Sequence, residues 1–150
     1  MADKALFRVV DANFNRLREG LRVVEEIERL VRSNKKTFPI LKTLRHQISG
    51  CEKKVSVRIR LLARNSSGDP GRRITCGLES KRASLSELTT ANFKRCQEAA
   101  RVLEEFLKLI DGAAASEMKE IRFRLYDIEK RIYPHLVPIS SEKERNFTLQ

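Results

Sequence analysis

Residues 12–30 read ANFNRLREGLRVVEEIERL, and residues 91–109 read ANFKRCQEAARVLEEFLKL. The two segments align without gaps and are identical at 10 of 19 positions. An amphipathic helix needs only generic polar residues on its solvent face, so repeated Asn, Arg and Glu residues indicate side chains with particular partners. The repeat therefore informs the fold directly and a binding site more weakly. The polar identities are Asn13/Asn92, Arg16/Arg95, Glu19/Glu98, Arg22/Arg101, Glu25/Glu104 and Glu26/Glu105.

Apolar residues at three- and four-residue spacing predict four long helices. Thr37 is the expected N-cap of the second helix. Ser84 and Glu87 form a capping box that opens the third. Pro134 and Pro138 are expected to end the fourth. The predicted helices span about residues 3–33, 37–63, 84–110 and 116–132. The apolar stripes of the first two helices, expected in the core, are Leu6, Val10, Phe14, Leu17, Leu21, Val24, Ile27 and Val31, then Ile40, Leu41, Leu44, Ile48, Val55, Ile59 and Leu62.

A second, weaker similarity supports an internal duplication. Residues 41–49 (LKTLRHQIS) are similar to residues 118–126 (MKEIRFRLY) at an offset of 77, against 79 for the first repeat. Two related helical hairpins predict an all-α antiparallel bundle with internal pseudo-two-fold symmetry. We expect one helical domain, residues 1–138, followed by a polar C-terminal tail, residues 139–150. The matched residues include Lys42/Lys119 and Arg45/Arg122.

The repeated polar residues fall at the boundary of the apolar face, where a charge needs a partner. Within the first helix, Arg16 can pair with Glu19 and Arg22 with Glu26. Two interpretations stay open: these groups pair with each other and fix the register of the bundle, or they line a polar cleft that binds an anion. Because structural ion-pair networks are common, the first is favoured. The set comprises Asn13, Arg16, Glu19, Arg22, Asn92, Arg95, Glu98 and Arg101.

The segment between the second and third predicted helices, residues 64–83, is the better site candidate, since long loops are often functional. Its glycines, Gly71 among them, let a ligand approach the backbone, and phosphate needs several cations with free N–H donors. Asp69 and Glu79 are its acids and can hold Mg²⁺ or accept a proton. A disordered basic loop is an equal alternative. The candidate phosphate-binding cations are Arg64, Arg72, Arg73 and Arg82.

Composition predicts a globular protein of the reducing cytoplasm. The 150 residues are 41% hydrophobic, and no apolar run approaches the ~20 residues of a membrane span. The N-terminus carries no apolar signal region, and three widely spaced cysteines suit neither a disulfide framework nor a zinc knuckle. The net charge of +11 attracts nucleic acid, acidic membrane surfaces or phosphorylated small molecules. Residues 51–82 hold nine Lys and Arg against three acids.

Several standard sites are missing from the sequence. It has no Walker A and no dinucleotide-binding glycine motif, and His46 and His135 lack a catalytic constellation. Glu25-Glu26 and Glu104-Glu105 are expected to face solvent, where a charged surface is favoured over a metal site. With 6% aromatic residues and no tryptophan, a base-stacking nucleic-acid surface is poorly supported, whereas binding to the backbone alone stays open.

The motifs together resemble one small family, the helical domain found at the N-terminus of cyanobacterial-type thiamine-phosphate synthases and also on its own. The resemblance covers about residues 3–132, and its most specific part is the paired ANF segments. The motifs are DANFNRLREGLRVVEE (11–26), LRH (44–46), ARNSSGDPG (63–71), Glu79-x-x-Arg82, ANFKRCQEAARVLEEFLK (91–108) and Arg122-x-x-x-Tyr126.

The resemblance implies a role in thiamine biosynthesis, as an alternative kinase that adds a second phosphate from ATP, with Mg²⁺, to hydroxymethylpyrimidine phosphate. Asp69 would be the catalytic and metal-binding residue, and Arg64, Gly71, Arg72, Arg73, Glu79 and Arg82 would bind phosphate or substrate. The family pattern in the loop is close to A-R-D-T-x-x-D-V-G, from which Asn65, Ser66 and Pro70 depart.

Two other classes stay open. A non-catalytic ligand-binding or docking module of the thiamine pathway, with thiamine-phosphate synthase as partner, would tolerate Asp69→Asn, whereas a kinase would not. A helical nucleic-acid binder would lose affinity steeply with salt over its whole basic surface. Assembly as a homo-oligomer is also open.

Overall fold

The computed structural model describes residues 2–77 and 80–136, and in them the chain is all-α, which confirms the predicted fold class. The predicted tail, Pro138 and Glu79 lie outside the described residues. None of the described helices is long and apolar enough to cross a bilayer. The helices are α1 (Ala2–Glu26), α2 (Thr37–Glu52), α3 (Val57–Ala63), α4 (Leu85–Leu107) and α5 (Gly112–Leu136), and a π-helical turn, Ile27–Val31, follows α1.

Helices α1 and α4, which carry the repeated segments, form the most extensive helix pair, and α5 packs on α4. Gly20 allows the α1–α4 contact, because a Cβ there would lie 2.7 Å from the Cys96 Sγ. The Cys96 thiol donates to the Leu17 carbonyl across the same contact at 3.5 Å. Helices α1 and α2 are antiparallel, because Arg18 contacts Glu52 whereas the later Glu25 contacts the earlier Arg45. Helices α4 and α5 are antiparallel in the same way. The pseudo-two-fold relation between the two hairpins stays a prediction.

The prediction that the first helix continues unchanged to about residue 33 is wrong, because after Glu26 the helix widens into a π-turn. The Arg32 N–H donates to the carbonyl of Ile27, five residues back, at 2.9 Å. The wider turn shifts the register, so that Glu28 becomes fully buried while Val31, predicted in the core, is 58% exposed. The Asn34 amide donates to the Glu28 carboxylate at 2.9 Å. The apolar periodicity gave no sign of this change.

The second predicted helix is two helices. Ser56 interrupts it, accepting the Ile59 N–H on its hydroxyl and capping α3. Because the backbone leaves the helical conformation at Ser56 and α3 packs on α1, Ile59 and Leu62 are exposed rather than in the core. The predicted Thr37 cap is also wrong: Asn34 accepts the backbone N–H groups of residues 36 and 37.

The ends of α4 and α5 are set by local chemistry. The predicted capping box is confirmed, since the Ser84 hydroxyl accepts the Glu87 N–H at 3.1 Å. Asp111 accepts the N–H groups of residues 113 and 114 and so caps α5. Contrary to prediction, α5 continues through Pro134 to Leu136, because a proline in the last turn has helical φ and removes one backbone donor near a solvated end.

Candidate functional site

Two buried carboxylates of the repeat, Glu25 and Glu104, are held by arginines, which contradicts their predicted solvent exposure. Glu25 accepts from the Nε of Arg45 at 2.8 Å, and Glu104 accepts from the Nε of Arg122 at the same distance. Arg22 and Arg101, matched in the repeat, provide a second cation to each carboxylate. These residues therefore belong to structural ion-pair networks, the interpretation favoured from sequence.

The charge state of Glu104 follows from this arrangement. Burial raises the pKa of its carboxyl, but the hydrogen bond and charge of Arg122, together with Arg101, outweigh burial and bring the pKa below the ordinary value of 4.5. The same contact raises the pKa of Arg122. Glu104 is therefore ionised at neutral pH and serves as an anchor between α4 and α5.

A second buried network joins α1, α2 and α3 through Arg60. Its Nη1 lies 2.9 Å from a carboxylate oxygen of Glu52 and 3.3 Å from one of Asp11. The guanidinium also lies over the Phe14 ring, 5.5 Å from the centroid. Arg18 donates to the second carboxylate oxygen of Glu52 at 3.2 Å. Burying these charges is tolerable only because each carboxylate has two cationic partners.

Asp11 extends this network to the surface by holding Arg64. The Arg64 Nε and Nη2 donate to the two oxygens of Asp11 at 2.7 and 3.1 Å, a two-point contact that fixes the guanidinium plane. The hydrogen bond raises the pKa of Arg64 above its ordinary value. Because the Arg64 side chain is 43% exposed, a fixed cation with unused donor edges stands at the surface.

Arg64 stands on the wall of a cleft of about 480 Å³ between the first half of α1 and the chain that follows α3. We call this the first cleft. The repeat supplies Asn13 and Arg16: the Asn13 Nδ2 donates to the Val9 carbonyl at 2.9 Å, and its Oδ1 accepts from Arg16 at 3.4 Å. Three guanidinium groups thus surround the cleft, which suits an oxyanion such as phosphate. The lining residues with polar side chains are Arg8, Asp11, Asn13, Asn15, Arg16, Arg64, Asn65, Ser66 and Asp69.

The loop wall of the first cleft is shaped by two side chains that accept backbone N–H groups. The Asn65 Oδ1 accepts the Gly68 N–H at 3.0 Å, and the Asp69 Oδ1 accepts the Gly71 N–H at 2.8 Å. A Cβ at Gly68 would lie 2.5 Å from the Asn65 Nδ2, so any other residue there would displace the Asn65 side chain from this contact. Although Asn65 lacks the carboxylate of the family pattern, it keeps the acceptor that turns the loop.

The other predicted cations follow Asp69 along the exposed part of the loop. Arg72 donates to the Ser66 carbonyl at 3.5 Å, and Arg73 is exposed. Arg82 lines a second cleft, of about 490 Å³, with Asn92, Arg95 and Glu98 of the second repeat. Asn92 repeats the Asn13 contact by donating to the Leu88 carbonyl at 2.9 Å. The loop therefore meets the first repeat at its start and the second repeat near its end.

Two residues predicted to shape the cleft lie elsewhere. Glu19 and Arg22 line a larger apolar groove, of about 930 Å³, on the side of α1 that faces α2 and the start of α4. Arg22 is held by Glu25 and Glu26 at 3.5 and 3.3 Å. Glu19 lies six residues after Asn13, which at 3.6 residues per turn places the two side chains about 120° apart around the helix, and so they face different depressions.

A Mg²⁺ ion in the first cleft would have few ligands from the protein. Within residues 2–77 and 80–136, no group of three or more His, Cys, Asp and Glu side chains is arranged to hold a metal ion. Asp11 is occupied by Arg60 and Arg64, which leaves Asp69 as the accessible carboxylate of the first cleft. Because Mg²⁺ often takes one or two carboxylates and completes its shell with phosphates and water, these residues fit an ion that arrives with a phosphorylated ligand.

The cysteines divide by exposure. Burial raises the pKa of Cys51 to about 12, and the nearby Glu117 carboxylate adds to the effect. Burial likewise raises the pKa of Cys96 to about 12, against a smaller opposing effect of Arg95. Cys76 is exposed and lines the second cleft. The two buried thiols are therefore unreactive core residues.

Sequence reasoning missed Asp11 and Arg60, which organise the first cleft. Asp11 precedes the first repeat and belongs to the DANFNRL motif, and this was the available signal. Arg60 gave none, because an arginine in a predicted amphipathic helix is normally solvated. The break at Ser56 separates α3 from α2, and in α3 Arg60 is buried beside Asp11.

Comparison with known proteins places the chain in a family. The chain is 37% identical over 132 residues to the thiamine-phosphate synthase of Nostoc punctiforme, an alignment covering 88% of this chain and 36% of that protein. It is 39% identical over 127 residues to the thiamine-phosphate synthase of Thermosynechococcus vestitus, covering 85% of this chain and 35% of that protein. It is 35% identical over 124 residues to that of Rhodopirellula baltica, covering 82% of this chain and 33% of that protein. The chain thus spans about a third of the length of these curated relatives. No solved structure matches it significantly. The ThiD2 family model matches residues 8–131, and the chain therefore belongs to the ThiD2 family.

Proposed function

We propose that this protein acts in thiamine biosynthesis and transfers a phosphate from ATP to hydroxymethylpyrimidine phosphate, yielding the diphosphate. The observation that carries the proposal is Arg64, fixed by buried Asp11 on the wall of a cleft that also contains Arg16 and Asp69. Membership of the ThiD2 family and similarity to thiamine-phosphate synthases support the pathway. The phosphotransfer itself rests on the chemistry of the cleft.

The reaction is a displacement at phosphorus. A phosphate oxygen of the pyrimidine phosphate attacks the γ-phosphorus of ATP, a new O–P bond forms, the bond to the β–γ bridging oxygen breaks, and ADP leaves. Such transfers need mainly positioning and charge neutralisation. Arg64 and Arg16 would hold the acceptor phosphate, and Asp69 would hold Mg²⁺, which neutralises phosphate charge when bound.

The test measures diphosphate formation by purified protein given the pyrimidine phosphate and Mg-ATP. Arg16→Gln is the first variant, because Arg16 is exposed and its substitution should leave the fold intact. Arg58→Gln is the matched control, an exposed arginine of α3 outside the cleft lining. We expect at least a tenfold loss of kcat/KM for Arg16→Gln and none for Arg58→Gln. Wild-type protein that makes no diphosphate while a control kinase works would refute the catalytic proposal.

A second candidate is a non-catalytic ligand-binding or docking module of the thiamine pathway. It is favoured by Asn65, which lacks the carboxylate of the family pattern. Asp69→Asn separates the two, because the amide oxygen still accepts the Gly71 N–H while the negative charge is lost. A docking module would keep its ligand affinity, whereas a kinase would lose turnover.

A further inference from the structure

The apolar groove has six aliphatic side chains in its lining. It lies between the second half of α1 with its π-turn and the first turns of α4. Three residues of this lining are exposed aliphatic side chains: Leu30 is 64% exposed, Val31 58% and Leu85 47%. The π-turn turns Val31 outward, and such turns are frequent at functional sites. These aliphatic residues are Val23, Ile27, Leu30, Val31, Leu85 and Leu88.

The groove adjoins the first cleft along α1, because Asn15 lines both depressions. A ligand that passes Asn15 would reach both. The volume of about 930 Å³ lies within the range of small-molecule sites. A ligand lying across Asn15 would meet apolar side chains at one end and the guanidinium of Arg16 at the other.

The rim of the groove is polar in a way that suits a sugar. Glu19 is an exposed carboxylate and Ser49 a half-buried hydroxyl, and carboxylates commonly accept hydrogen bonds from ribose hydroxyls. The rim arginines Arg18, Arg22 and Arg45 already bond to carboxylates of Glu52 and Glu25. They therefore add positive charge beside the groove without forming a second phosphate-binding site.

We propose that the apolar groove binds the base and ribose of a nucleoside phosphate, with its phosphates passing Asn15 into the first cleft. The identity of the phosphate donor in this proposal rests on the proposed function. The proposal adds the groove as the binding site of that donor. It also gives a role to the outward-facing aliphatic side chains, whose exposure to water is otherwise unfavourable.

The direct test uses protein with labelled Leu and Val methyl groups, observed by NMR during titration with ATP, adenosine or tripolyphosphate. ATP and adenosine should shift the methyl signals of Leu30, Val31 and Leu85 through the ring current of the base. Tripolyphosphate should leave these signals in place. The Leu109 methyls, which are 74% exposed and lie outside the groove lining, should not move with any probe. Shifts with ATP that spare the groove methyls would overturn the proposal.

A matched pair of variants gives the energetic test. Leu30→Ser should weaken ATP binding about tenfold in calorimetry, as expected for the loss of one apolar contact. Leu109→Ser should bind like wild type, and neither exposed change should lower the melting temperature appreciably. Equal ATP affinity in Leu30→Ser and wild type would overturn the groove assignment even if diphosphate forms. ATP binding with the predicted shifts but without diphosphate would support the groove and refute the proposed reaction, and wild-type protein that binds no ATP would refute both.

Discussion

Asp11→Asn is the sharpest test of how the first cleft is built. Asp11 has 3% of its side chain exposed and accepts from Arg60 at 3.3 Å and from Arg64 at 2.7 and 3.1 Å. Asparagine keeps one acceptor oxygen but turns an NH₂ group toward guanidinium donors. The change therefore removes a negative charge between two cations and adds a contact between donors.

The magnitude follows from the two ion pairs. Removing one partner of a buried pair costs about 3–5 kcal/mol, and Arg60 keeps Glu52 at 2.9 Å, which favours the low end. The Arg64 side chain is 43% exposed, so solvent screening limits its share to about 0–1 kcal/mol. We expect Asp11→Asn to lower the free energy of unfolding by about 3–4 kcal/mol, within the ~5–15 kcal/mol of a typical domain.

The assay is urea unfolding followed by circular dichroism, with Asp127→Asn on the exposed face of α5 as the matched control. The control should change the free energy of unfolding by less than about 0.5 kcal/mol. A double-mutant cycle with Arg64→Met isolates the Asp11–Arg64 coupling, expected to be positive and below about 1 kcal/mol. If Asp11→Asn destabilises the protein no more than the control does, the reasoning about the buried network is refuted.

Three further predictions concern other parts of the fold. Because the pKa of Glu104 is lowered, its stabilising contribution is present near neutral pH and is lost as the pH falls through its folded-state pKa, below 4.5. Glu104→Gln should therefore reduce the fall in melting temperature that wild-type protein shows at acid pH. An unchanged fall would contradict the pairing with Arg122. In native protein a thiol reagent should modify one cysteine, Cys76, and all three only after unfolding, as mass spectrometry can count; native modification of a buried thiol would argue against the burial described. Gly20→Ala should destabilise the protein by about 1–3 kcal/mol through overpacking, because the new Cβ would approach the Cys96 Sγ to 2.7 Å; Cys96→Ala in that background should recover most of the loss, measured by thermal unfolding.

The sequence predicted the helical class because the apolar spacing in α1 and α4 is long and regular. It also located the start of α4, since a serine followed three residues later by glutamate satisfies backbone donors whatever the tertiary context. The breaks at Ser56 and in the π-turn were not predicted. A single serine in an apolar repeat is common, and the π-turn accompanies the burial of Glu28, a charged residue that apolar spacing does not place in the core.

The candidate site was predictable in its parts but not in its assembly. Arg64 and Asp69 were identified from loop composition, and Asn13 and Arg16 from the repeat, and the structure brings these four together. Glu19 and Arg22, at equally repeated positions, line the neighbouring groove instead. The angular position of a residue on a helix is readable from sequence, whereas the neighbour facing that angle depends on how the helices pack.

By itself, the sequence determined that this protein is helical, that two of its helices are copies, and that its basic character concentrates in the segment between them, because periodicity, identity and charge are properties of the chain alone. Only the tertiary structure decided which repeated charges are buried anchors and which face a cleft. It also decided that Asp11, 53 residues away in sequence, fixes Arg64 at the surface. The physical reason is that the energy of a charge depends on what surrounds it. In this protein the surroundings of Asp11 are Arg60 in α3 and Arg64 just after it, and local sequence patterns did not reveal how α3 packs.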